Sequence, residues 1–248
     1  MTLRARTWLF AVSGAVFGAL LVWGLAGLPD FGDYRGPYGL ILDERAVGER
    51  HVTNVPTAVN FDYRAFDTLG EEFILFAAAV GLAVVLRFRR ERESRAPTRA
   101  EALEHATDAP RVVGLAFVGP VLLVGFYIVA HGHLTPGGGF QGGVILASAF
   151  LLAYLAGGYA TMRRVQPWTL IEVTKSVGAA GYALIGLAGL IGVGAFFANV
   201  LPLGPVGLLQ SGGTIPLGNL AVSLEVSAAF VLVFSELLEQ TLIVSRGR

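Results

Sequence analysis

Hydrophobic residues occur along this chain in six long runs, separated by polar or charged segments. The runs occupy about Trp8–Leu28, Phe66–Leu86, Val112–Ala130, Phe140–Ala160, Val177–Ala198 and Leu220–Val244. As a helix rising about 1.5 Å per residue, each run is long enough to cross a hydrocarbon core of about 30 Å. The pattern therefore predicts an all-α integral membrane protein with about six transmembrane helices, arranged as two followed by four.

The first run follows Arg4 and Arg6, an arrangement that signal peptides share. It is longer than the apolar core of a usual signal peptide and lacks an obvious small-residue cleavage site. We expect it to be a retained helix.

Composition agrees with a membrane protein, because 54% of the residues are hydrophobic and only 15% are charged. The chain has no cysteine, which excludes disulfides, thiol catalysis and cysteine-ligated metal centres. We expect no cofactor of its own, so any redox group would belong to a partner. The formal net charge is zero and the basic residues form no single patch, so nothing favours nucleic acid as a partner.

The basic residues fall on every second flank of the apolar runs. Fourteen of the eighteen basic residues lie in four groups on alternate flanks. The groups are Arg4 and Arg6; the seven arginines from Arg87 to Arg111; Arg163, Arg164 and Lys175; and Arg246 and Arg248. Cytoplasmic flanks carry an excess of lysine and arginine. Both termini are therefore predicted to be cytoplasmic.

The segment from Arg89 to Pro110 is rich in Arg, Glu, Ala and Pro and separates the first two runs from the last four. This composition is typical of a linker. We predict a two-helix module at residues 1–88, a cytoplasmic linker at residues 89–110, and a four-helix module at residues 111–248.

A glycine-rich turn from His131 to Gly143 joins the third and fourth runs. Gly138, Gly139, Gly142 and Gly143 provide the small residues, spaced four apart, that allow helices to pack closely in lipid. His131 and His133 lie two positions apart, and no nearby carboxylate or cysteine completes a metal shell, so we expect no resident metal. Two roles stay open for these histidines: proton exchange near neutral pH, and hydrogen bonding to loop carbonyls.

The second run has a short uninterrupted apolar part, because Phe73–Leu86 would rise only about 21 Å. Glu71 or Glu72 must therefore enter the outer leaflet, or the helix must be held within other protein. Thr68 and Glu71 have the spacing of a capping box, in which both side chains bond the free amides at a helix start. A cap and an ion or proton site are both open interpretations.

The sixth run contains Glu225, Glu236 and Glu239, which fall within about 60° of one another around a helix. A charge deep in the bilayer is costly unless it is paired or hydrated, so this stripe should face protein or a wet cavity. By the predicted orientation, Glu225 lies in the outer half of the run, Glu236 is intermediate and Glu239 is near the inner, interfacial end. Two roles are open for these three carboxyl groups: they carry ions, or they are protonated or hydrogen-bonded and hold neighbouring helices together.

Three motifs of the second half resemble a known family. They are Gly132–Gly143 (GHLTPGGGFQGG), Phe196–Pro202 (FFANVLP) and Ser211–Asn219 (SGGTIPLGN). In this order they resemble the B subunit of the multi-subunit Mrp-type cation/proton antiporters, the MnhB family, over about residues 111–239.

The first half carries a second resemblance through Asn54-Val55 and Asp62–Glu71 (DYRAFDTLGE). It is similar to the C-terminal end of the large A subunit of those antiporters and to the small E-type subunit of membrane-bound hydrogenases. The chain would then be a fusion of two neighbouring pieces. In that family the motif lies in a region proposed for sodium passage, which carries over to Asp67 and Glu71, with transient sodium binding at Glu71.

The resemblance implies an accessory membrane subunit, without enzymatic activity, of a sodium/proton antiporter in the cell membrane of a prokaryote. Its partners would be the other membrane subunits and the lipid bilayer. The alternative is an ion-translocating subunit of a respiratory, hydrogenase-type complex. The candidate ion or proton carriers are Asp67, Glu71, Glu72, Glu225, Glu236, His131 and His133.

Overall fold

The computed structural model describes residues 3–28, 32, 36–93, 108–165 and 168–245. In these ranges regular structure is helical. The helices are α1 (Leu3–Ala26), α2 (Pro37–Arg50), α3 (Val55–Ala58), a π-helical turn (Val59–Tyr63), α4 (Ala65–Glu93), α5 (Asp108–Ala130), α6 (Gly139–Arg164), α7 (Trp168–Val193) and α8 (Ile215–Ser245).

Six of these helices are long and apolar enough to cross a membrane. The candidate spans are Arg4–Ala26, Ala65–Leu86, Arg111–Ala130, Gly139–Gly158, Trp168–Val193 and Ile215–Gln240. The prediction of an all-α membrane protein with six spans is therefore confirmed. The short helices α2 and α3 and the π-helical turn were not predicted, because their apolar residues are too few to form a long run.

The chain divides into two compact units, Met1–Ile41 and Leu42–Arg248. The first contains α1, which is apolar around its whole circumference, as expected of a helix surrounded by hydrocarbon. The second contains the other five spans. The predicted linker at residues 89–110 falls largely on residues 94–107, which lie outside the described ranges, while α4 and α5 extend into its two ends.

Helix α8 is the centre of the second unit and packs against α4, α6 and α7, while α5 packs against α6. The turn joining α5 to α6 lies beside the starts of α4 and α8, and this side of the unit is called the turn end. The opposite side, where α4 finishes and α5 begins, is called the linker end.

Close helix approach in this unit depends on glycine. A Cβ at Gly139 would meet the backbone carbonyl of Asn219, and one at Gly143 would lie 2.8 Å from Val226 Cβ, so both glycines face α8. Gly142 instead faces α5, where a Cβ would lie 3.1 Å from the Gly125 carbonyl oxygen. Gly138 precedes the helix with a φ of 141°, which favours glycine. The small residues thus serve two faces of α6 and not one.

The start of α7 corrects the sequence prediction. The fifth span was predicted from Val177, but α7 begins at Trp168, so Lys175 lies inside the helix and is buried. The predicted basic flank therefore loses one of its fourteen members. A lysine usually marks the end of an apolar run at the membrane surface, but this one lies inside the helix and is buried within the bundle.

The capping box at Thr68 and Glu71 is also wrong. Helix α4 begins at Ala65, and Thr68 lies one turn inside it with its hydroxyl donating to the Asn60 carbonyl at 2.8 Å. The helix starts earlier than predicted because the π-helical turn leads almost directly into it. Glu71 therefore has no capping role at the helix start.

Membrane orientation stays a prediction that cysteine labelling can test. The chain contains no cysteine, so single cysteines can be introduced at Ala96 and at the exposed Val206 without background. We expect a membrane-impermeant maleimide to label Ala96→Cys only from the cytoplasm and Val206→Cys only from the opposite side. The reverse pattern would overturn the predicted orientation.

Candidate ion site between helices α4, α7 and α8

Among the described residues, four carboxyl groups and one ammonium group are buried within the membrane-spanning part of the second unit. They are Glu72 on α4, Lys175 on α7, and Glu225, Glu236 and Glu239 on α8. Charged groups are rare at this depth because hydrocarbon cannot solvate them, and where they occur they face the interior of a bundle. Their joint burial marks this interface as the candidate functional site.

Glu72 and Glu225 meet across the contact between α4 and α8, within hydrogen-bonding reach of each other. Glu225 is fully buried and Glu72 is only 3% exposed. Three of their carboxyl oxygens receive no hydrogen bond from the described residues. These are both oxygens of Glu225 and Oε2 of Glu72. Since ionised carboxylates can only accept, a shared proton or a cation is needed to join them.

Lys175 lies beside this pair, and its positive charge acts on Glu225. Its ammonium group is 4.7 Å from the centroid of the Phe76 ring on α4, a cation–π arrangement, and the residue is 5% exposed. One turn further along α7, a Cβ at Gly178 would lie 2.5 Å from the Glu225 amide nitrogen. The close approach of α7 and α8 at this glycine holds the lysine near the carboxyl groups.

A cavity of about 300 Å³ opens beside Glu72 at the turn end. Its polar lining comes from Asn60, Thr68, Glu71, Glu72, the backbone at Gly138, and Gln141. Glu71 is exposed, whereas its neighbour Glu72 is buried. The cavity therefore connects the exposed carboxylate to the buried pair.

The segment at residues 54–57 clamps the glycine-rich turn beside this cavity. Asn54 Nδ2 donates to the carbonyls of Gly132 (2.7 Å) and Thr135 (2.9 Å), and Thr57 Oγ1 donates to Gly132 at 2.8 Å. From the other side, Asn219 Oδ1 accepts from the Gly139 amide at 2.8 Å. These bonds fix the start of α6 against α8.

Neither histidine of the turn lines the cavity. The His131 ring stacks on Tyr127 with centroids 4.1 Å apart, and its Nδ1 is 3.1 Å from the Tyr127 carbonyl oxygen. His133 is fully buried, and this burial lowers its pKa. A role in proton exchange stays a prediction for both, and the geometry gives it no support.

Asp67, a predicted carrier, is exposed and forms an ion pair with Arg64 one turn before it. The buried Asp62 in the π-helical turn pairs with Arg50. Burial raises the pKa of Asp62, and the Arg50 charge opposes that rise. The charge of each aspartate is thus compensated by an arginine.

Glu236 and Glu239 lie further towards the linker end of α8. Eleven residues separate Glu225 from Glu236, a rise of about 16 Å along the helix. The space between is filled by a buried apolar cluster that includes Ala79, Ala229 and Leu232. The structure therefore brings Glu72 and Glu225 together and holds Glu236 apart from them.

Two features of the site were not predicted from the sequence. Lys175 was assigned to a flank, although Pro167-Trp168 is a good start signal for a helix that would contain it. Tyr182 lies within an apolar run, and nothing in that run indicates a polar role for it. Its buried hydroxyl donates to the Ala65 carbonyl at 3.0 Å and anchors the start of α4.

Comparison with known proteins gives consistent relatives. An uncharacterised protein of Methanocaldococcus jannaschii is 32% identical over 251 residues, which is 90% of each chain. A chain in the structure of the membrane-bound sulfane sulfur reductase, an archaeal respiratory membrane complex, matches with a TM-score of 0.72 and 33% identity over 94% of this chain and 98% of that one.

A chain in the structure of the Mrp complex from Dietzia sp. DQ12-45-1b matches with a TM-score of 0.66 and 26% identity. The match covers 96% of this chain but only 26% of that longer one. Residues 109–232 match the family described as a domain related to the MnhB subunit of Na+/H+ antiporters. With half of its length in this domain, and with the motifs Gly132–Gly143 and Ser211–Asn219 inside it, the chain belongs to the MnhB family.

Proposed function

We propose that this chain is a membrane subunit of a multi-subunit cation/proton antiporter complex and that Glu72 and Glu225 lie on its ion path. One observation carries the proposal: two carboxyl groups meet inside the membrane-spanning bundle, beneath a polar cavity, with oxygens that receive no hydrogen bond from the described residues. Burying two carboxyl groups merely to join helices is costly, because a pair of apolar side chains would pack there without the cost of removing polar groups from water.

The remaining candidates take different places in this proposal. Glu71 would attract cations to the mouth of the cavity, and Asp67 with Arg64 would lie outside it. Glu236 and Glu239 would serve the linker end, beyond the apolar cluster on α8. Gly139, Gly142 and Gly143 would hold the helices at the spacing that keeps the carboxyl groups together.

We further propose that the chain joins two modules. Residues 1–88 would correspond to the end of an A-type subunit and residues 111–248 to a B-type subunit, joined by the linker. The match to a quarter of a longer Mrp chain supports this arrangement, since one long chain there covers nearly all of this one. In the second unit, α4 of the first module packs directly against α7 and α8 of the second.

The partners would be other membrane subunits, since both structural neighbours belong to multi-subunit membrane complexes. The chain would reside in a prokaryotic cell membrane as a multi-pass protein. It would move ions without carrying out catalysis of its own.

A second assignment is a subunit of a respiratory membrane complex, in which soluble redox subunits drive ion movement. The match to the sulfane sulfur reductase chain over 98% of that chain favours it specifically. Both assignments place the same ion path in this chain, and they differ in what supplies the energy.

Purification in mild detergent followed by mass spectrometry distinguishes them. We expect large antiporter-like subunits and no redox centres, and nickel–iron or iron–sulfur subunits would establish the respiratory assignment instead. Sodium-dependent proton exchange in everted vesicles tests the path itself: Glu225→Gln should lower the rate about a hundredfold, since it removes one of the two buried carboxyl groups that would hold the proton or cation. An unchanged rate in the assembled complex would refute the path.

A further inference from the structure

Helix α4 begins just after an interruption in the helical backbone. The π-helical turn (Val59–Tyr63) ends where the Arg64 amide donates to the Val59 carbonyl at 2.8 Å. Arg64 has a φ of −133° and a ψ of 33°, which lie outside the helical region. Because this residue interrupts the helix, the preceding backbone does not by itself fix the rotation of α4 about its axis.

Two buried hydroxyl groups bond the chain across this interruption. Thr68 Oγ1, on the first turn of α4, donates back to the Asn60 carbonyl at 2.8 Å. The Tyr182 hydroxyl, on α7, donates to the Ala65 carbonyl at 3.0 Å and lies 3.5 Å from the Asn60 carbonyl oxygen. Thr68 is 6% exposed and Tyr182 is 1% exposed, so water does not compete for these bonds.

The Tyr182 ring is itself held in a fixed position. Its centroid lies 5.9 Å from that of Phe61, edge to face, and 4.9 Å from that of Phe197. On α8, a Cβ at Gly218 would lie 2.9 Å from Phe61 Cδ1 and 3.5 Å from Tyr182 Cε2. Both α7 and α8 therefore determine where the hydroxyl meets the start of α4.

Thr68 lies on the same face of α4 as Glu72. Residues four apart in a helix lie one above the other, and both of these side chains are buried, as are those of Ala79 and Ala83 further along. The bonds that hold Thr68 against the π-helical turn therefore direct Glu72 into the bundle.

A rotation of α4 by one residue, about 100°, would present Glu71 in place of Glu72. Apolar packing distinguishes the two rotations weakly, because the shift would place Ala78, an identical side chain, where Ala79 packs. The hydroxyl bond distinguishes them, because the shift would place Asp67 at the position of Thr68. An ionised carboxylate cannot donate to a carbonyl.

We propose that Thr68 and Tyr182 are positioning residues, whose hydroxyl groups fix the rotation of α4 so that Glu72, and not Glu71, faces Glu225. The rotation follows from contacts within this chain alone. Its effect on ion exchange rests on the proposed function.

Cross-linking in the purified whole complex tests the rotation. The chain has no cysteine, so cysteine pairs at 72 and 225, or at 71 and 225, can be joined by a short bifunctional thiol reagent and identified in this chain by mass spectrometry. We expect only the 72–225 pair to cross-link. Adding Thr68→Val and Tyr182→Phe should lower its yield at least fivefold, and the 71–225 product should appear, since two buried hydrogen bonds are lost.

Exchange in everted vesicles, with NaCl as the probe, tests the consequence. With native Glu71, Glu72 and Glu225, the Thr68→Val, Tyr182→Phe variant should lose about tenfold in maximal rate per recovered complex, with little change in apparent sodium affinity. Thr68→Ser keeps the hydroxyl and should behave as wild type.

Thr161→Val on α6 is the matched control, because it also removes a hydroxyl that donates to a carbonyl at 2.8 Å, here that of Gly157. It should change neither measurement. Unchanged cross-linking in the assembled double variant would overturn the positioning role while leaving the ion path intact. Altered cross-linking with wild-type exchange would refute the proposed path and leave the positioning role standing. If the double variant does not assemble, Tyr182→Phe alone, which keeps the buried ring, decides in its place.

Discussion

Replacing Glu72 with glutamine is expected to lower sodium-dependent proton exchange about a hundredfold, whereas the same change at Glu71 should lower it less than about threefold. Glu72 is buried against Glu225, so Glu72→Gln removes one of the two carboxyl groups that would hold the proton or cation. Glu71 is exposed at the cavity mouth, where solvent screens its charge. The two variants differ by one position and by no other chemistry.

The measurement is the initial rate of exchange in everted vesicles over a range of sodium concentrations. Glu71→Gln should act mainly on the apparent affinity for sodium, because it removes an attractive charge at the access point and leaves the buried site unchanged. Glu72→Gln should act on the maximal rate. Equal effects of the two variants, in complexes recovered in equal amounts, would contradict the assignment of the buried carboxylate as the carrier.

The sequence does not predict which of the two adjacent residues, Glu71 or Glu72, faces the interior of the bundle. The short apolar part of the second run predicted that Glu71 or Glu72 enters the membrane or that the helix is held within other protein, and in the structure Glu72 is buried while Glu71 is exposed. Adjacent residues differ by about 100° around a helix, so the side that faces α8 depends on the rotation of α4. That rotation is set by packing against other helices, which a hydrophobic run does not encode.

The six spans were predictable because hydrocarbon imposes a length and a composition that few other structures share. Their ends were less predictable where a charge is paired inside the bundle. Lys175 was expected in a flank, but inside the bundle its ammonium group lies over the Phe76 ring and its charge acts on Glu225. The pairing of α4 with α8 joins distant parts of the chain, and no local pattern indicates it.

The glycine-rich turn was recognised from its composition, but its supports were not. Asn54 and Thr57 bind its carbonyls, and Asn219 caps the start of α6 through the Gly139 amide. Asn54 and Asn219 belong to motifs that carried the family resemblance, so the sequence indicated their importance without indicating their contacts. The structure explains this part of the resemblance physically, since both side chains bond the backbone of the turn or of the helix start that follows it.

Replacing Gly139 with alanine is expected to reduce recovery of intact complex severely, even though alanine is the better helix former. The new Cβ would meet the Asn219 carbonyl and would lie 2.9 Å from Val222 Cβ, so α6 and α8 must separate. Overpacking of this kind costs about 1–3 kcal/mol, and in lipid no hydrophobic effect drives the helices together again. Gly139→Leu should be more damaging still.

The measurement is the amount of complex recovered from membranes after mild detergent extraction, together with its melting temperature. Gly81→Ala on α4 is the matched control, because a Cβ there meets nothing within 4 Å in the described part of the chain. It should leave both quantities unchanged or slightly raise the melting temperature. Normal assembly of Gly139→Ala with exchange lost would contradict this packing role and would show that the glycine serves the ion path instead.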